Sequence, residues 1–128
     1  MGIYIMGKDR GIEKKVYIIC PVRHCTYSEL QSLNRYVEKL KAENCVVFFP
    51  HTDAPQNDTI GYQIVKSEVN AIRNADEVHI FWNKRSKGSH FDLGTAIAFN
   101  KKLVLVNDPI DSEEKSYLKV IKEIIKRQ

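Results

Sequence analysis

Four short runs of mostly β-branched apolar residues punctuate the chain: 16–20 (Val-Tyr-Ile-Ile-Cys), 45–49 (Cys-Val-Val-Phe-Phe), 78–82 (Val-His-Ile-Phe-Trp) and 103–106 (Leu-Val-Leu-Val). Continuous apolar runs of this length are the signature of strands covered on both faces, whereas half-solvated antiparallel strands alternate. Between them lie stretches whose apolar residues recur every three or four positions, which is helical spacing. Strand and helix alternate throughout, so the chain is expected to form an α/β domain with right-handed crossovers. The fold class is a flavodoxin/Rossmann-like doubly wound parallel sheet of about four to five strands, in the order 2-1-3-4.

The element boundaries follow from capping and turn chemistry. Thr26-Tyr-Ser-Glu29 reads as a capping box, and Leu30, Leu33, Val37 and Leu40 form the apolar stripe of a helix ending near Asn44. The second strand is expected to be buried, and the turn-rich loop 50–58 after it is long enough to act as a lid before a helix over residues 59–74. A polar, basic loop at 83–88 leads to Ser89-His-Phe-Asp92, which resembles a capping box with Asp for Glu and would start a helix running to residue 100. Asp111-Ser-Glu-Glu114 would start the last helix, with Leu118, Ile121, Ile124 and Ile125 on its inner face. Residues 1–15 are polar and Gly-punctuated, a loose N-terminal arm with a short extended piece at 3–6; residues 1–128 are read as a single domain.

Composition excludes several classes. With 43% apolar and 28% charged residues in 128, the chain has enough material for a core and is not disordered. No apolar run approaches the roughly 20 residues of a membrane span, and the start lacks the basic-then-apolar layout of a signal peptide, so a cytoplasmic protein without membrane contact is expected. Met6 stands where an N-myristoylation motif needs Ser or Thr. Cys20, Cys25 and Cys45 are odd in number and lack C-x-x-C spacing, which indicates neither a disulfide framework nor zinc; Cys20 and Cys45 are read as small core residues. His51, His79 and His90 fall on three different elements and make no metal constellation, and no cofactor is indicated. The net charge of +4 is spread rather than massed, which permits anionic small molecules but does not argue for nucleic acid.

Open α/β sheets bind ligands outside the strand C-termini, so the candidate loops are 21–26, 49–58 and 82–90. Arg23 lies between the first strand and a helix N-terminus that already favours anions. Gly88 and Ser89 offer the third loop a similar opportunity, although neither a P-loop nor G-x-G-x-x-G is present. Glu68 shares a helix face with Ile64 and Ile72: either it reaches solvent at the stripe's edge, or it lines a semi-buried site where desolvation raises its pKa. Asp92 also has two readings, as the capping partner of Ser89 or as a functional carboxylate. Gly94 costs about 1 kcal/mol inside a helix, which suggests close approach of another backbone or a ligand.

Together these segments resemble the nucleoside 2-deoxyribosyltransferase superfamily, including its 2-deoxynucleoside 5-monophosphate N-glycosidases, over about residues 15–107. The matching features are Val16-Tyr-Ile-Ile-Cys-Pro-Val-Arg23; Glu68 two turns before Ala75-Asp76; Ser86-Lys-Gly88-Ser-His-Phe-Asp92-Leu-Gly94-Thr-Ala96; and the Lys-Lys-Leu-Val-Leu-Val strand. Glu68 stands where the family usually has Asp, Asp92 where it has its nucleophilic Glu, and Cys20-Pro21 where it has Gly. The resemblance implies that Asp92 attacks C1′ of a nucleoside or nucleotide, that Glu68 positions the sugar or the leaving base's proton, and that Arg23 with Ser86 holds a 5′-phosphate. Gly88, Ser89 and His51 are counted with this binding set, and a homodimer or higher homo-oligomer is implied. Two other readings use the same crevice: a non-catalytic nucleotide-binding or signalling module, and an NAD-cleaving domain of the TIR type.

Overall fold

The computed structural model describes residues 13–55 and 57–128. Its elements, in chain order, are β1 (Lys14–Ile19), α1 (Tyr27–Ala42), β2 (Cys45–Phe48), α2 (Pro50–Asp53), α3 (Tyr62–Asn74), β3 (Glu77–Ile80), α4 (Lys87–Ala98), β4 (Lys102–Leu105) and α5 (Tyr117–Arg127). All pairings are parallel and the strand order is β2-β1-β3-β4, the 2-1-3-4 arrangement read from the sequence. The order reverses direction between β1 and β3, so their C-terminal loops splay apart and leave a crevice.

Helices cover both faces. Val16 and Ile18 point to α1, meeting Leu33, Val37 and Leu40. Tyr17 and Ile19 point the other way, into a cluster with Ile72, Leu93, Ala96, Leu118 and Ile121. This two-sided burial explains the continuous apolar run of β1. The second strand is different: among the described residues no strand lies beyond β2, which is half-buried, with Val46 47% exposed. The opposite edge is closed by a side chain. Gln128 accepts from Leu103 N at 3.0 Å and donates to Leu103 O at 2.6 Å, occupying the groups on β4 that another strand would pair.

Helices α1 and α4 are followed by Asn44 and Asn100 in left-handed conformations (φ 67° and 56°), a backbone state that Asn tolerates, so the chain reverses directly into β2 and β4. Three helix starts differ from the sequence reading. At α4, Ser86 is the N-cap: its Oγ accepts from Ser89 N at 3.2 Å, so the helix begins before Ser89. At α5, Ser116 caps Lys119 N, while Asp111 accepts from Ser112 N and Ser116 Oγ and shapes a turn ahead of the helix. At α3 the cap position is Gly61 (φ 90°), and Asp58 reaches over it to accept from Gln63 N and from Ile64 N at 3.1 Å. Each segment contains more than one Ser, Thr, Asn or Asp able to cap, and burial of the apolar stripe selects among them.

Loop 50–58 opens with α2 instead of being free throughout. Asp53 closes this turn by accepting from Phe49 N at 2.8 Å. Lys14 and Lys15, read as the end of a loose N-terminal arm over 1–15, instead pair with Cys45 and Val46 as part of β1; residues 1–12, including the extended piece at 3–6, lie outside the described residues. No helix among the described residues is long and apolar enough to cross a membrane.

Gln128→Ala should cost about 1–2 kcal/mol in denaturant titration, the usual net worth of two part-buried hydrogen bonds. A variant as stable as the parent would show that water satisfies the β4 edge equally well.

Candidate active site

The earlier start of α4 decides what Asp92 does. Counted from Ser86, Asp92 lies in the second turn, beyond reach of the helix N-terminal amides, so the capping role paired with Ser89 is not the one it has. Ser89, Asp92, Leu93 and Ala96 instead share the buried face of α4, at i, i+3, i+4 and i+7 spacing. Asp92 is 5% exposed. Its Oδ2 accepts a 2.8 Å hydrogen bond from the hydroxyl of Tyr17, on the central strand β1. Tyr17 is fully buried and stacks on Phe48 with ring centroids 5.4 Å apart, which fixes where its hydroxyl points. Tyr17 was not singled out in the sequence. The available signal was a phenol inside a buried strand, which needs a partner.

The other oxygen, Oδ1, is buried and has no hydrogen-bond partner among the described residues. Glu68 on α3 is close enough for the two acids to perturb each other, but their contact falls short of a formed hydrogen bond to Oδ1. Glu68 is half-buried between the half-buried Ile64 and the fully buried Ile72, as the stripe suggested. Burial, and then the charge of Asp92, pushes the Glu68 carboxyl up to about 8. Burial also raises Asp92, to about 6, while the hydrogen bond from Tyr17 and the closeness of the Glu68 acid group hold it lower. The pair therefore takes up its first proton on Glu68, leaving Asp92 the ionised member near neutral pH. Cys20, at the end of β1, lies within the field of both carboxylates, and burial pushes its thiol up and keeps it protonated.

A second group of residues meets at the switch point. Arg23, His24, Thr26 and Glu29, following β1, and Asn83, Arg85 and Ser86, following β3, line a cavity of about 120 Å³. It sits at the N-termini of α1 and α4, whose free amides and dipoles favour an anion. His24 holds a left-handed backbone (φ 59°) at this wall. The β3 loop is braced from β4: the side chain of Asn107 accepts from Trp82 N at 2.8 Å and donates to Trp82 O at 3.0 Å. Neither Arg23 nor Arg85 is ion-paired among the described residues, while Glu29 is occupied within the α1 capping box. Six residues of helix separate Ser86 from Asp92, about 9 Å of rise.

The structure thus brings Arg23 and Ser86 together, and Glu68 and Asp92 together. Ser89 is buried behind the cavity and donates to Ser86 Oγ at 2.8 Å. Gly88 is exposed, with open space around it. His51 lies apart, its Nε2 2.9 Å from Pro21 O, where it tethers α2 to the β1 loop. Gly94 is exposed, and no neighbouring atom of the described residues approaches the place of an added Cβ, so the close contact expected there is not made within this chain. Arg85, His24 and Asn83 were not anticipated, because a loop's shape decides which of its polar residues face inward. Among the described residues no group of three or more His, Cys, Asp or Glu could hold a metal ion.

Fold and site define a parallel α/β domain with a carboxylic acid pair between α3 and α4 and an arginine-lined cavity at its topological switch point. A sequence model of the nucleoside 2-deoxyribosyltransferases matches residues 16–120, and the chain belongs to that family. No curated protein matches it in sequence. Among solved structures it is similar to a CMP N-glycosidase from Clostridium botulinum, with 18% identity and a TM-score of 0.60 over 87% of this chain and 82% of that one. It is also similar to a 2-deoxyribosyltransferase from Bacillus psychrosaccharolyticus, with 19% identity and a TM-score of 0.63 over 76% and 77% of the two chains. At these identities the likeness establishes the fold; membership of the family supports chemistry at the N-glycosidic bond of nucleosides or nucleotides.

The shifted carboxyls give stability a definite pH dependence. An unfolded chain releases these protons near pH 4, whereas the folded protein holds them to about 6 and 8, so folding weakens as pH rises across that window. Glu68→Gln removes the larger part of this loss. The melting temperature of the variant minus that of the parent should grow from pH 4 to 8 and level off beyond; a gap independent of pH would contradict the assignment.

Proposed function

We propose that this protein cleaves or transfers the N-glycosidic bond of a deoxynucleoside 5′-monophosphate, with Asp92 as nucleophile. The observation that carries this reading is the buried Asp92 carboxylate, tied through one oxygen to Tyr17 and left with its other oxygen unpartnered beside a carboxyl that keeps its proton. Buried polar atoms are rarely left without a partner, and such an atom on an acid with a raised pKa is a candidate to meet a ligand.

In the first step Asp92 attacks C1′ as the bond from C1′ to the base nitrogen breaks. The bonding pair leaves with the base, which takes its proton from Glu68, and the sugar becomes an ester of Asp92. In the second step an acceptor attacks C1′, the ester bond breaks, and the acceptor's proton passes to Glu68. Water as acceptor gives hydrolysis, and a second base gives transfer. The two steps parallel those of retaining glycosidases. The 5′-phosphate would rest between Arg23 and Arg85 at the Ser86 cap, and the roughly 9 Å of helix from Ser86 to Asp92 suits the span from a nucleotide's phosphate to its C1′.

We further place a second copy of the chain over α3 and α4. There Tyr62, Val65, Phe91 and Ile97 are 40–61% exposed, and Gly94 leaves open space for a neighbouring backbone. Light scattering should give at least a dimer mass, and a monomer at assay concentrations would overturn that placement. The three free thiols suit a reducing, cytoplasmic location.

A panel of deoxynucleosides, their 5′-monophosphates and NAD, followed for free base or nicotinamide, tests the reading. Base release should be fastest from a monophosphate and should disappear in Asp92→Asn without loss of fold. Arg23→Ala should lower kcat/KM for the monophosphate roughly ten- to hundredfold and leave the nucleoside almost unaffected. Nicotinamide alone would favour the NAD-cleaving reading, and binding without release would favour a nucleotide-binding module.

A further inference from the structure

The anion pocket does not end at Arg85. A second cavity of about 230 Å³ adjoins it, sharing Glu29, Asn83 and Arg85 as a common wall and continuing past Lys84 toward the segment between β4 and α5. Its near side carries Lys84 and Arg85, and its far side joins apolar Pro109, Ile110 and Leu118 to Asn107 and Asp111.

The charges along this path are uneven. Arg23, Lys84 and Arg85 have no ion-pair partner among the described residues. Both carboxylates in the walls are already engaged: Glu29 accepts from Thr26 N, and Asp111 accepts from Ser112 N and Ser116 Oγ and lies 3.6 Å from the Lys119 ammonium. A phosphate monoester carries about −1.5 to −2 charges at neutral pH, which two arginines balance. Lys84, further along the wall, is then left over. Ile110 is 96% exposed at the mouth of the far side, beside Pro109.

We propose that this second cavity is a subsite for what lies beyond the 5′-phosphate, so that the substrate class is the nucleoside 5′-diphosphate unit, with a second phosphoryl group between Arg85 and Lys84. The inference rests on the 5′-phosphate reading above. That unit occurs as a free diphosphate and, esterified to a second nucleoside, as a pyrophosphate-linked dinucleotide. In the second form the added nucleoside lies against Pro109 and Ile110.

Calorimetric titration of Asp92→Asn, which binds without turnover, distinguishes the cases, using four ligands built on the base that the parent protein releases: nucleoside, 5′-monophosphate, 5′-diphosphate and 5′–5′ pyrophosphate-linked dinucleotide. The diphosphate should bind at least about tenfold tighter than the monophosphate, as one further charge-assisted contact implies. Adding Lys84→Ala should bring that ratio close to one. Adding Ile110→Asp instead should weaken the dinucleotide and leave the free diphosphate's ratio in place; equal weakening of both, or of neither, assigns the subsite to the free diphosphate. A monophosphate that beats the nucleoside while the diphosphate gains nothing overturns this inference alone. A diphosphate advantage that survives Lys84→Ala does the same. Equal binding of nucleoside and monophosphate overturns the 5′-phosphate reading beneath it.

Discussion

The hydroxyl of Tyr17, 2.8 Å from a carboxylate withdrawn from water, holds the candidate site in register with the fold. A buried ionised acid costs several kcal/mol unless it is hydrogen-bonded, and one phenol from the central strand meets part of that cost. In return the bond sets the order of protonation, because it favours the charged form of Asp92 while Glu68, pushed up by burial and by Asp92's charge, keeps its proton. A protonated acid and an ionised one come from residues of nearly identical chemistry, separated by their surroundings alone, and the proposed mechanism uses the first to give a proton and the second to attack. The core supplies the rigidity: Tyr17 is stacked on Phe48, and its strand is paired on both sides.

The same economy holds at α4. By capping the helix at Ser86, the chain puts Ser89, Asp92, Leu93 and Ala96 on one buried stripe and leaves the helix's free amides at the anion pocket. In the proposed function the helix serves both ends of a nucleotide, its N-terminus at the phosphate and its second turn at the sugar. Asn107 and Trp82 brace the intervening loop from the neighbouring strand. Pre-positioning of this kind matters because displacement of reacting groups by about 1 Å can cost on the order of a hundredfold in rate.

The sheet was legible in the sequence because its signal is local: an apolar run covered on both faces cannot hide. Even so, the run at 45–49 did not reveal that β2 is only half-buried, since Val46 is apolar and exposed. Glu68 was legible as a conflict, a carboxylate between two buried aliphatics. Asp92 stood out through its segment, but the sequence reads with Ser89 as the cap, and only the packing of α4 places the cap at Ser86. Tyr17 and Asp92 are 75 positions apart, and no local pattern announces their bond. Arg85 remained invisible for a related reason: in a loop with Lys84, Arg85 and Lys87, the fold alone selects which cation faces the cavity.

The central claim is that Asp92 forms a covalent bond to the sugar, and rapid-quench mass spectrometry with peptide mapping tests it most directly. Mixing the parent protein with a nucleotide whose base it releases, and quenching within a turnover, should leave the sugar phosphate esterified to the peptide that contains Asp92. Base release with no adduct at any time point, and a sugar product of inverted configuration, would contradict the account and assign Asp92 to activating water instead.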